Sequence, residues 1–537
     1  DLAKKNYLQN LQQNIINEET RSSKSYVNEY QRHFLHDEMI SSPEDQLKYT
    51  NEIFSTITIG DLNGHFKKYT QAKNQIINIK APAYIKDLPN ENEIKKLFEE
   101  IESKDIKPYE FEVKKVELIK EDLAGSKIIK RVRYPKTDVI KLTLKNGPKI
   151  YLKKTNFKKD EIQIRGFSSG GLSQANDEQY LSAKYLDKII SRADVGELTI
   201  LEKENLYPTN LVDLFPFIDG KEEGVNGYTN NENLEDMFRL LYLNFTDLRI
   251  SQTHVDIFKE KRISQYNIDK KNPDHAYNLE FIKKFYQNHP RTKSATEELY
   301  NQINLKDLQD FYIDRFKDGG NFNFVIVGDF EFDEIEPLIE KYIGSLPSLN
   351  RKDGYIDRGI RYNLGSEEVK YEQDDPKKAY VTRLYNKEFK NTVKERYKSY
   401  LLYSIIDKMF FDQIREKDNL VYSISANHYF NDFKPIELIS FYLNYGADPN
   451  NIDQIDKNIN IILDKVKKGN FDLKTFEDKK LTLINDYKSN LESNSTWLSA
   501  IHKADKNNLY LERMMYKETI IKSITKREIT QLAKKYF

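Results

Sequence analysis

The first part of the chain places apolar residues at helical spacing, with charged residues between them. Leu8, Leu11 and Ile15 recur in this way, and further helices fit SKSYVNEYQRHFLHDEM and the residues after a turn at 55–59. Residues 1–70 are therefore predicted to form helices without a strand. Because an amphipathic helical layer needs a surface to cover, we expect a partner segment against its apolar face.

Strand patterns begin further along, where apolar and polar residues alternate on both sides of an Asn-Gly turn. The positions concerned are Ile140, Leu142, Leu144, Asn146, Gly147, Ile150 and Leu152. This pattern predicts a β-hairpin, which EIQIRGF extends into a sheet. Helices are predicted from about 176 to 316, interrupted by a polar stretch at 220–231. NFNFVIVGDF predicts a buried strand, and the following helix is expected to be capped by Asp333 with Glu336 three residues on.

A second, similar unit starts at Ala379. AYVTRLY, VYSISANHYF and IELISFYLNY have strand patterns, ERYKSYLLYSIIDKMFFDQIREK has the pattern of a long helix, and three further helices are predicted before Phe537. The predicted fold class is α+β, with repeated domains of antiparallel or mixed β-sheet covered by helices.

The chain contains an internal repeat. Residues 55–70 (STITIGDLNGHFKKYT) align without gaps on residues 522–537 (KSITKREITQLAKKYF). This alignment indicates that residues 1–70 are the helical end of a domain whose second complete copy ends the chain. The alternative is chance similarity between two lysine-rich amphipathic helices.

Composition narrows the function classes. Lys+Arg and Asp+Glu number 85 each, so the net charge is zero, which argues against a polyanion-binding protein because phosphate neutralisation requires a basic excess. The 29 Phe and 36 Tyr supply large buried areas and favour a folded protein. The absence of Cys excludes disulfides and cysteine nucleophiles. The numbering starts at Asp1 without Met or a signal peptide, so we expect either processing or a piece of a longer protein.

Several stretches together resemble the pitrilysin-like (insulinase-type) zinc metallopeptidases. These are YVNEYQRHFL, YLKKTNFKKDEIQIRGFSSGG, YQNHPRT, NFNFVIVGDFEFDEIEPLIEKYIGSLPS and IREKDNLVYSIS. The resemblance implies a peptidase of clamshell architecture, in which two halves of related α+β domains close around a chamber. It also implies four segments here: 1–75, the helical C-terminal part of a preceding domain; 76–125, a linker with a short helix; 126–347, a metal-free peptidase-like domain; and 348–537, a domain with substrate-contacting Arg and Tyr.

Family members hold zinc on an inverted His-x-x-Glu-His helix, a motif that this sequence does not contain. By resemblance, the degenerate copy of that helix falls on Lys184, Asp187 and Lys188. Two ammonium groups are poor zinc ligands because they are cationic and lack a lone pair. No metal is therefore expected on this chain, and the zinc of the complete enzyme is expected on a segment or chain outside it.

Arg415 and Tyr422 are the candidate functional pair. The resemblance implies that Arg415 holds a substrate carbonyl and that the catalytic Tyr422 donates its hydroxyl to the developing oxyanion. The alternative is structural, with Arg415 capping a helix C-terminus and Tyr422 packing as a sheet aromatic. His33 and His36 lie one turn apart and could form a partial metal site, but spacing supplies no third ligand, so a structural role is preferred.

The resulting hypothesis is the C-terminal portion of a zinc-dependent metalloendopeptidase that hydrolyses peptides in an enclosed chamber. The expected partners are a peptide or unfolded protein substrate and an N-terminal metal-bearing half, with no nucleic acid and no membrane span. Periplasm or cell envelope is preferred to cytoplasm. A non-catalytic binding or scaffold protein that retains the peptidase fold remains the alternative.

Overall fold

The structure is a computed structural model that describes residues 2–70, 76–79, 88–105, 117–207, 211–365, 367–370, 378–431 and 437–537. The chain divides into two compact units, Asp1–Val116 and Glu117–Phe537.

The described residues of the first unit form helices and no strand, as predicted. The helices are α1 (Leu2–Ile16), α2 (Ser23–His36), α3 (Pro43–Thr56), α4 (Ile59–Thr70) and α5 (Glu91–Glu102). The sequence patterns did not indicate α3. Its first residue is Pro43, and the side chain of the preceding Ser42 accepts a hydrogen bond from the Asp45 N–H. Among the described residues of this unit, Leu11 is the one large apolar side chain that is buried.

The second unit begins with a seven-stranded sheet in the order β1-β2-β3-β9-β4-β7-β6. Its strands are β1 (Ile128–Tyr134), β2 (Val139–Leu144), β3 (Lys149–Lys154), β4 (Ile162–Ser169), β6 (Val212–Ile218), β7 (Glu222–Thr229) and β9 (Asn323–Gly328), and a separate two-stranded pair is β5 (Asp194–Val195) with β8 (Leu248–Arg249). Neighbours are antiparallel except β3 and β9, which run parallel. The predicted hairpin is β2 with β3, and the predicted buried strand is β9.

The accompanying helices are α6 (Tyr180–Ile190), α7 (Ile200–Leu206), α8 (Leu234–Thr246), α9 (Gln252–Asp269), α10 (Pro273–Phe285), α11 (Glu297–Gln302), α12 (Leu305–Phe316) and α13 (Phe332–Leu338). The predicted Asp333 cap of α13 is wrong. The N-cap residue of α13 is Glu331, and its side chain makes no cap hydrogen bond. Asp333 lies inside the first turn, where its negative charge interacts favourably with the helix dipole.

The prediction of helices and a polar loop across residues 212–229 is also wrong, because β6 and β7 form a central hairpin there. The polar, glycine-containing sequence of β7 concealed the strand. Gly224 is needed for close approach, since a Cβ there would lie 2.0 Å from the Gly166 carbonyl oxygen of β4. Glu222 and Glu223 are nevertheless buried, and their partners come from distant parts of the chain.

The second sheet has the order β10-β12-β11 and is antiparallel throughout. Its strands are β10 (Ala379–Glu388), β11 (Val421–Asn431) and β12 (Leu438–Ala447), and the helices are α14 (Val393–Phe410), α15 (Ile452–Lys467), α16 (Leu473–Asn490), α17 (Asn494–Lys506), α18 (Lys517–Ser523) and α19 (Lys526–Tyr536). Five α-helices therefore follow the last strand, where three were predicted. One face of the sheet packs with α14, α15, α16 and α19 around a single apolar core.

Helix α17 packs instead on the first sheet. Trp497 and Ile501 join an apolar cluster with Phe167 and Val325 of that sheet. The Asp505 carboxylate accepts hydrogen bonds from the hydroxyl of Tyr151 and, at 2.6 Å, from the amide of Asn323. The α+β class, with antiparallel and mixed sheets covered by helices, is confirmed, while the four-segment division implied by the resemblance stays a prediction.

Candidate functional site

Arg415 lies in an irregular continuation of α14. The helix passes at Phe411–Lys417 into a π-helical segment, a geometry that is frequent at functional sites. The Arg415 side chain is 49% exposed, with its guanidinium 5.1 Å from the Phe411 ring centre and 3.9 Å from the Glu416 carboxylate. Within the described residues, the guanidinium donates no hydrogen bond to a C-terminal carbonyl of this helix, so its position does not match a simple cap.

Tyr422 lies at a β-bulge. Val421 pairs with Ala447 and Ser423 pairs with Gly446, which leaves Tyr422 as an extra residue without a partner on β12. A bulge redirects the side chain and locally interrupts pairing, and bulges are frequent next to active sites. The ring is 61% exposed. In the described part of the chain, its hydroxyl makes no hydrogen bond.

A short turn fixes the backbone between these two residues. The Asp418 N–H donates to the Gln413 carbonyl at 2.9 Å, and the Leu420 N–H donates to the Ile414 carbonyl at 3.2 Å. Asn419 adopts a φ of 51°, in the left-handed region that Asn tolerates. The Asp418 carboxylate also accepts from Asn458 of α15 at 2.8 Å. The turn therefore holds Arg415 and Tyr422 at defined backbone positions, although no hydrogen bond joins the two described side chains. Their catalytic and binding roles stay predictions.

The residues at the degenerate motif do not fit a metal. All three lie on α6, where the Lys184 ammonium donates to the Lys293 carbonyl at 2.9 Å and the Lys188 ammonium pairs with Asp187 at 2.9 Å. Burial lowers the pKa of the Lys184 ammonium, but its nitrogen is already directed at a carbonyl. Across the described residues, no group of three or more His, Asp or Glu side chains could hold a metal ion.

His33 and His36 lie on the exposed surface at the end of α2. The His33 Nδ1 is 2.6 Å from the Glu38 carbonyl oxygen, so this ring nitrogen has a backbone partner within the same turn. That contact favours the structural role.

The residues that the sequence patterns missed form a buried charged cluster between β7 and α17. The Glu222 carboxylate is 4% exposed and lies 3.0 Å from His502 Nε2, with Lys506 and Arg165 also donating to it. Burial alone would raise the pKa of the Glu222 carboxyl, but hydrogen bonds and charges from His502 and Lys506 hold this pKa well below its usual range. The only local sequence feature that marks this buried cluster is the pair of adjacent glutamates, Glu222 and Glu223. His502 is 280 residues away, so spacing could not have found it.

Glu223 has a different environment one residue further along β7. Its side chain is 0% exposed and faces Arg315 at 3.6 Å, and it accepts from the Gly171 N–H. Burial raises the pKa of the Glu223 carboxyl to about 7, although Arg315 opposes that shift. Arg315 also pairs with Asp353 at 2.9 Å. This cluster ties the segment after α13 to the first sheet, and its burial indicates a structural role.

Comparisons with known proteins match part of the chain to one family. Residues 302–483 match the family described as the Peptidase M16 inactive domain. The predicted resemblance to pitrilysin-like zinc metallopeptidases is confirmed, and the matched stretch includes Arg415 and Tyr422.

The individual relatives are longer proteins. A probable zinc protease PqqL of Haemophilus influenzae is 19% identical over 459 residues, which cover 81% of this chain and 46% of that protein. A zinc protease PQQL-like protein of Arabidopsis thaliana is 23% identical over 327 residues, 60% of this chain and 32% of the relative. The structure of the periplasmic protease PqqL from Escherichia coli aligns with a TM-score of 0.69 and 18% identity, over 99% of this chain and 59% of that one. The chain thus spans less than half the length of these two curated relatives, and the structural match shows the fold.

Proposed function

We propose that this chain is the metal-free C-terminal part of a zinc-dependent metalloendopeptidase that hydrolyses peptides in an enclosed chamber. It supplies part of the chamber wall and donors that contact the substrate. The zinc belongs to a metal-bearing half, on a separate segment or a companion chain. The relatives named as zinc proteases support the class, and the match to an inactive domain supports the metal-free role.

The observation that carries this proposal is the backbone geometry of Arg415 and Tyr422. A π-helical segment and a β-bulge hold both side chains exposed. In this proposal the Tyr422 hydroxyl donates to the oxyanion that develops at the scissile carbonyl, and a preorganised donor of this kind favours the transition state over the ground state. Arg415 is permanently charged and has several donors, so it holds a nearby substrate carbonyl.

The metal-bearing half also has a surface to bind on the first unit. Large apolar side chains of α2 and α4 are exposed there, namely Val27, Phe34, Leu62, Phe66 and Tyr69, at 61%, 84%, 58%, 72% and 69%. Leu62, Phe66 and Tyr69 have helical spacing and so share one face of α4, and an exposed apolar face of this kind favours an interaction site. The repeat supports an antiparallel sheet as the covering element, because the aligned helix α19 packs on one.

The compartment we propose is the periplasm or cell envelope, which the periplasmic location named for the Escherichia coli relative supports. No described helix has the length and apolar character needed to cross a bilayer. The second candidate function is a non-catalytic scaffold, which the match to an inactive domain also supports. This function applies if no metal-bearing half assembles with the chain.

The decisive experiment combines the full chain with the metal-bearing half and measures cleavage of a quenched fluorescent peptide. Tyr422→Phe keeps the ring and removes the hydroxyl, so we expect kcat to fall by about 10²–10³ with little change in KM. Arg415→Ala should also raise KM, because it holds substrate before reaction. Tyr49→Phe is the control, since it removes a hydroxyl from a ring that is 50% exposed on α3.

Wild-type kcat/KM in Tyr422→Phe would show that the hydroxyl has no catalytic role. A lowered Tm in both the Arg415 and Tyr422 variants, with activity recovered at lower temperature, would support the structural alternative. If the assembled protein cleaves no peptide at all, the scaffold function is the better one.

A further inference from the structure

The first three strands of the first sheet concentrate positive charge. Residues 127–159, which contain β1, β2 and β3, have twelve Lys and Arg residues against one Asp, although the whole chain has no net charge. The pairing of the three strands determines which of these cations share a face of the sheet. The two faces differ in how the charges are compensated.

On one face, the chain neutralises its own cations. Strand alternation places Arg131, Arg133 and Lys154 on this face. Each of them forms an ion pair with a carboxylate, and the partners are Glu336, Asp138 and Glu331 respectively. Cations of these strands are therefore paired within the chain where they lie on this side of the sheet.

On the opposite face, three lysines surround one threonine. Thr143 of β2 pairs with Lys130 of β1 on one side and with Lys149 of β3 on the other, and Lys141 lies two residues before Thr143. Strand geometry puts the backbones of Lys130 and Lys149 about 10 Å apart, with Lys141 about 7 Å further along β2. Lys130 and Lys149 are exposed, whereas Thr143 and Lys141 are half-buried. We call Lys130, Lys141 and Lys149 the lysine patch.

The lysine patch lacks a counter-charge in the described part of the chain, where no carboxylate lies within ion-pair distance of its three ammonium groups. Lys141 instead packs 5.1 Å from the centre of the Tyr151 ring. Burial lowers the pKa of the Lys141 ammonium, and the charges of the other two lysines lower it further, while the more distant Asp505 opposes the shift. The Asp505 carboxylate already accepts from the Tyr151 hydroxyl. Like charges held together in this way create a positive potential that favours an anionic partner.

We propose that the lysine patch binds an extended acidic segment of a polypeptide. In an extended segment, alternate side chains point to the same side and repeat at about 7 Å, which matches the spacing of the patch along β2. Each carboxylate then pairs with one ammonium, and the Thr143 hydroxyl donates to a carboxylate between them. A single phosphate would require all three long side chains to converge on one point, at a cost in side-chain entropy.

This interaction surface goes beyond the proposed function. It involves neither the zinc nor the pair Arg415 and Tyr422, and it is tested by binding to the chain alone. The ion pairs are exposed, so each contributes little by itself. We therefore expect a weak interaction that depends on ionic strength, because salt screens exposed charges.

The test measures fluorescence anisotropy of labelled 12-residue peptides with the full chain. The peptides repeat Glu-Ser, Gln-Ser or Lys-Ser, and we expect only the Glu-Ser peptide to bind, more weakly at an ionic strength of about 200 mM than at about 50 mM. The double variant Lys130→Gln/Lys149→Gln should weaken its binding about tenfold, or about 1.4 kcal/mol. The double variant Lys130→Glu/Lys149→Glu should instead bind the Lys-Ser peptide. Both positions are exposed, so an unchanged Tm is expected.

The matched control is Lys159→Gln/Lys534→Gln, which removes the same charge from two exposed lysines outside the patch. It should leave binding of the Glu-Ser peptide within about twofold, because these charges lie beyond the screening length of the patch. Equal weakening by this control would mean that net charge alone attracts the peptide, and would overturn the inference. So would unchanged affinity in Lys130→Gln/Lys149→Gln.

Two competition measurements distinguish other occupants. Displacement of the Glu-Ser peptide by inorganic phosphate at constant ionic strength would make the lysine patch an inorganic-anion site and overturn the inference. Tighter binding of a thymidine oligonucleotide with six phosphates than of the Glu-Ser peptide would make it a nucleic-acid surface, with the same consequence. Retention of the peptide against both competitors, together with its loss in Lys130→Gln/Lys149→Gln, would support an acidic polypeptide as the partner.

Discussion

The last helix of the chain and its counterpart in the first unit have similar sequences and opposite environments. In α19, Ile529 and Tyr536 are 0% and 1% exposed, and the Tyr536 ring lies 5.2 Å from Phe441 of β12. In α4, the aligned residues Leu62 and Tyr69 are 58% and 69% exposed. The difference is that α19 packs on the second sheet, whereas the described residues of the first unit contain no strand. Burial at these positions is therefore decided by what the helix packs against.

The local structure of the two helices is nevertheless the same. The Thr525 N–H donates to the Glu528 carboxylate at 2.9 Å, and the Glu528 N–H donates back to the Thr525 hydroxyl at 3.3 Å. The Thr58 N–H donates to the Asp61 carboxylate at 2.8 Å, and the Asp61 N–H donates back to the Thr58 hydroxyl at 3.2 Å. Reciprocal capping needs only neighbouring residues. The comparison thus separates what the local sequence specifies from what tertiary packing adds.

The largest expected effect comes from removing the same side chain at the two aligned positions. Tyr536→Ala opens a cavity in the core of the second sheet and should reduce the free energy of unfolding by about 3–5 kcal/mol. Tyr69→Ala removes an exposed ring and should change it by no more than about 0.5 kcal/mol. Urea unfolding followed by circular dichroism measures both.

The same pair of variants then sharpens the comparison. If the metal-bearing half covers α4, Tyr69→Ala should become destabilising in the assembled protein, as Tyr536→Ala already is in the chain. A Tyr69→Ala variant that loses several kcal/mol without that half would show that α4 is already packed, and would contradict the comparison.

A second prediction concerns the tie between α17 and the first sheet. The pKa of the Glu222 carboxyl is lowered by its partners in the folded protein, so its contribution to stability is complete above the ordinary carboxyl pKa of about 4.3. That contribution is lost as pH falls below this value toward the folded-state pKa. Trp497, the single Trp of the chain, lies in α17. Its fluorescence should therefore report undocking on acidification below about pH 4.

Glu222→Gln should remove this acid transition at a cost of about 3 kcal/mol at neutral pH, because it leaves buried positive charges less well paired. Glu477→Gln is the matched control, since that side chain is 56% exposed. An acid transition of unchanged position in Glu222→Gln would show that another group controls the docking of α17.

Elements set by local patterns were predictable from the sequence, and those set by distant contacts were not. The β2–β3 hairpin follows from its Asn-Gly turn. Helix α5 likewise begins with a capping box between Asn90 and Glu93, which are only three residues apart. Strand β7 was not predicted because the adjacent charges of Glu222 and Glu223 are typical of a polar loop. Their burial depends on contacts with His502 and Arg315, which are distant in the sequence. No pattern within the strand carries that information.

The candidate site divides in the same way. The sequence identified Arg415 and Tyr422 only through a family resemblance, since an exposed Arg and Tyr seven residues apart have no physical signature of their own. The π-helical segment and the β-bulge depend on where α14 and β12 lie.

A third prediction tests whether the exposed face of α4 makes contacts of its own. Phe66 is 72% exposed, so the full chain is expected to self-associate at micromolar concentration through this surface or to bind a second polypeptide. Phe66→Lys should weaken the association about tenfold, or about 1.4 kcal/mol, with no change in the Tm of the second unit. Sedimentation velocity measures it, with Asn63→Lys as the control that adds the same charge to an exposed position of α4. A wild-type chain that stays monomeric, with protected amides in α4, would contradict this prediction.

The smallest effect separates local structure from packing most directly. Thr525→Ala and Thr58→Ala each remove the side chain that accepts the N–H of the third helical residue. Loss of such a cap costs about 1 kcal/mol, and the cost should be similar in the two helices because both caps are exposed. Hydrogen exchange of the first-turn amides of α4 and α19 measures it, with Thr→Ser at each position as the conservative control that keeps the hydroxyl. A loss confined to α19 would mean that the sheet beneath it sustains the cap, so that even this local feature depends on tertiary packing.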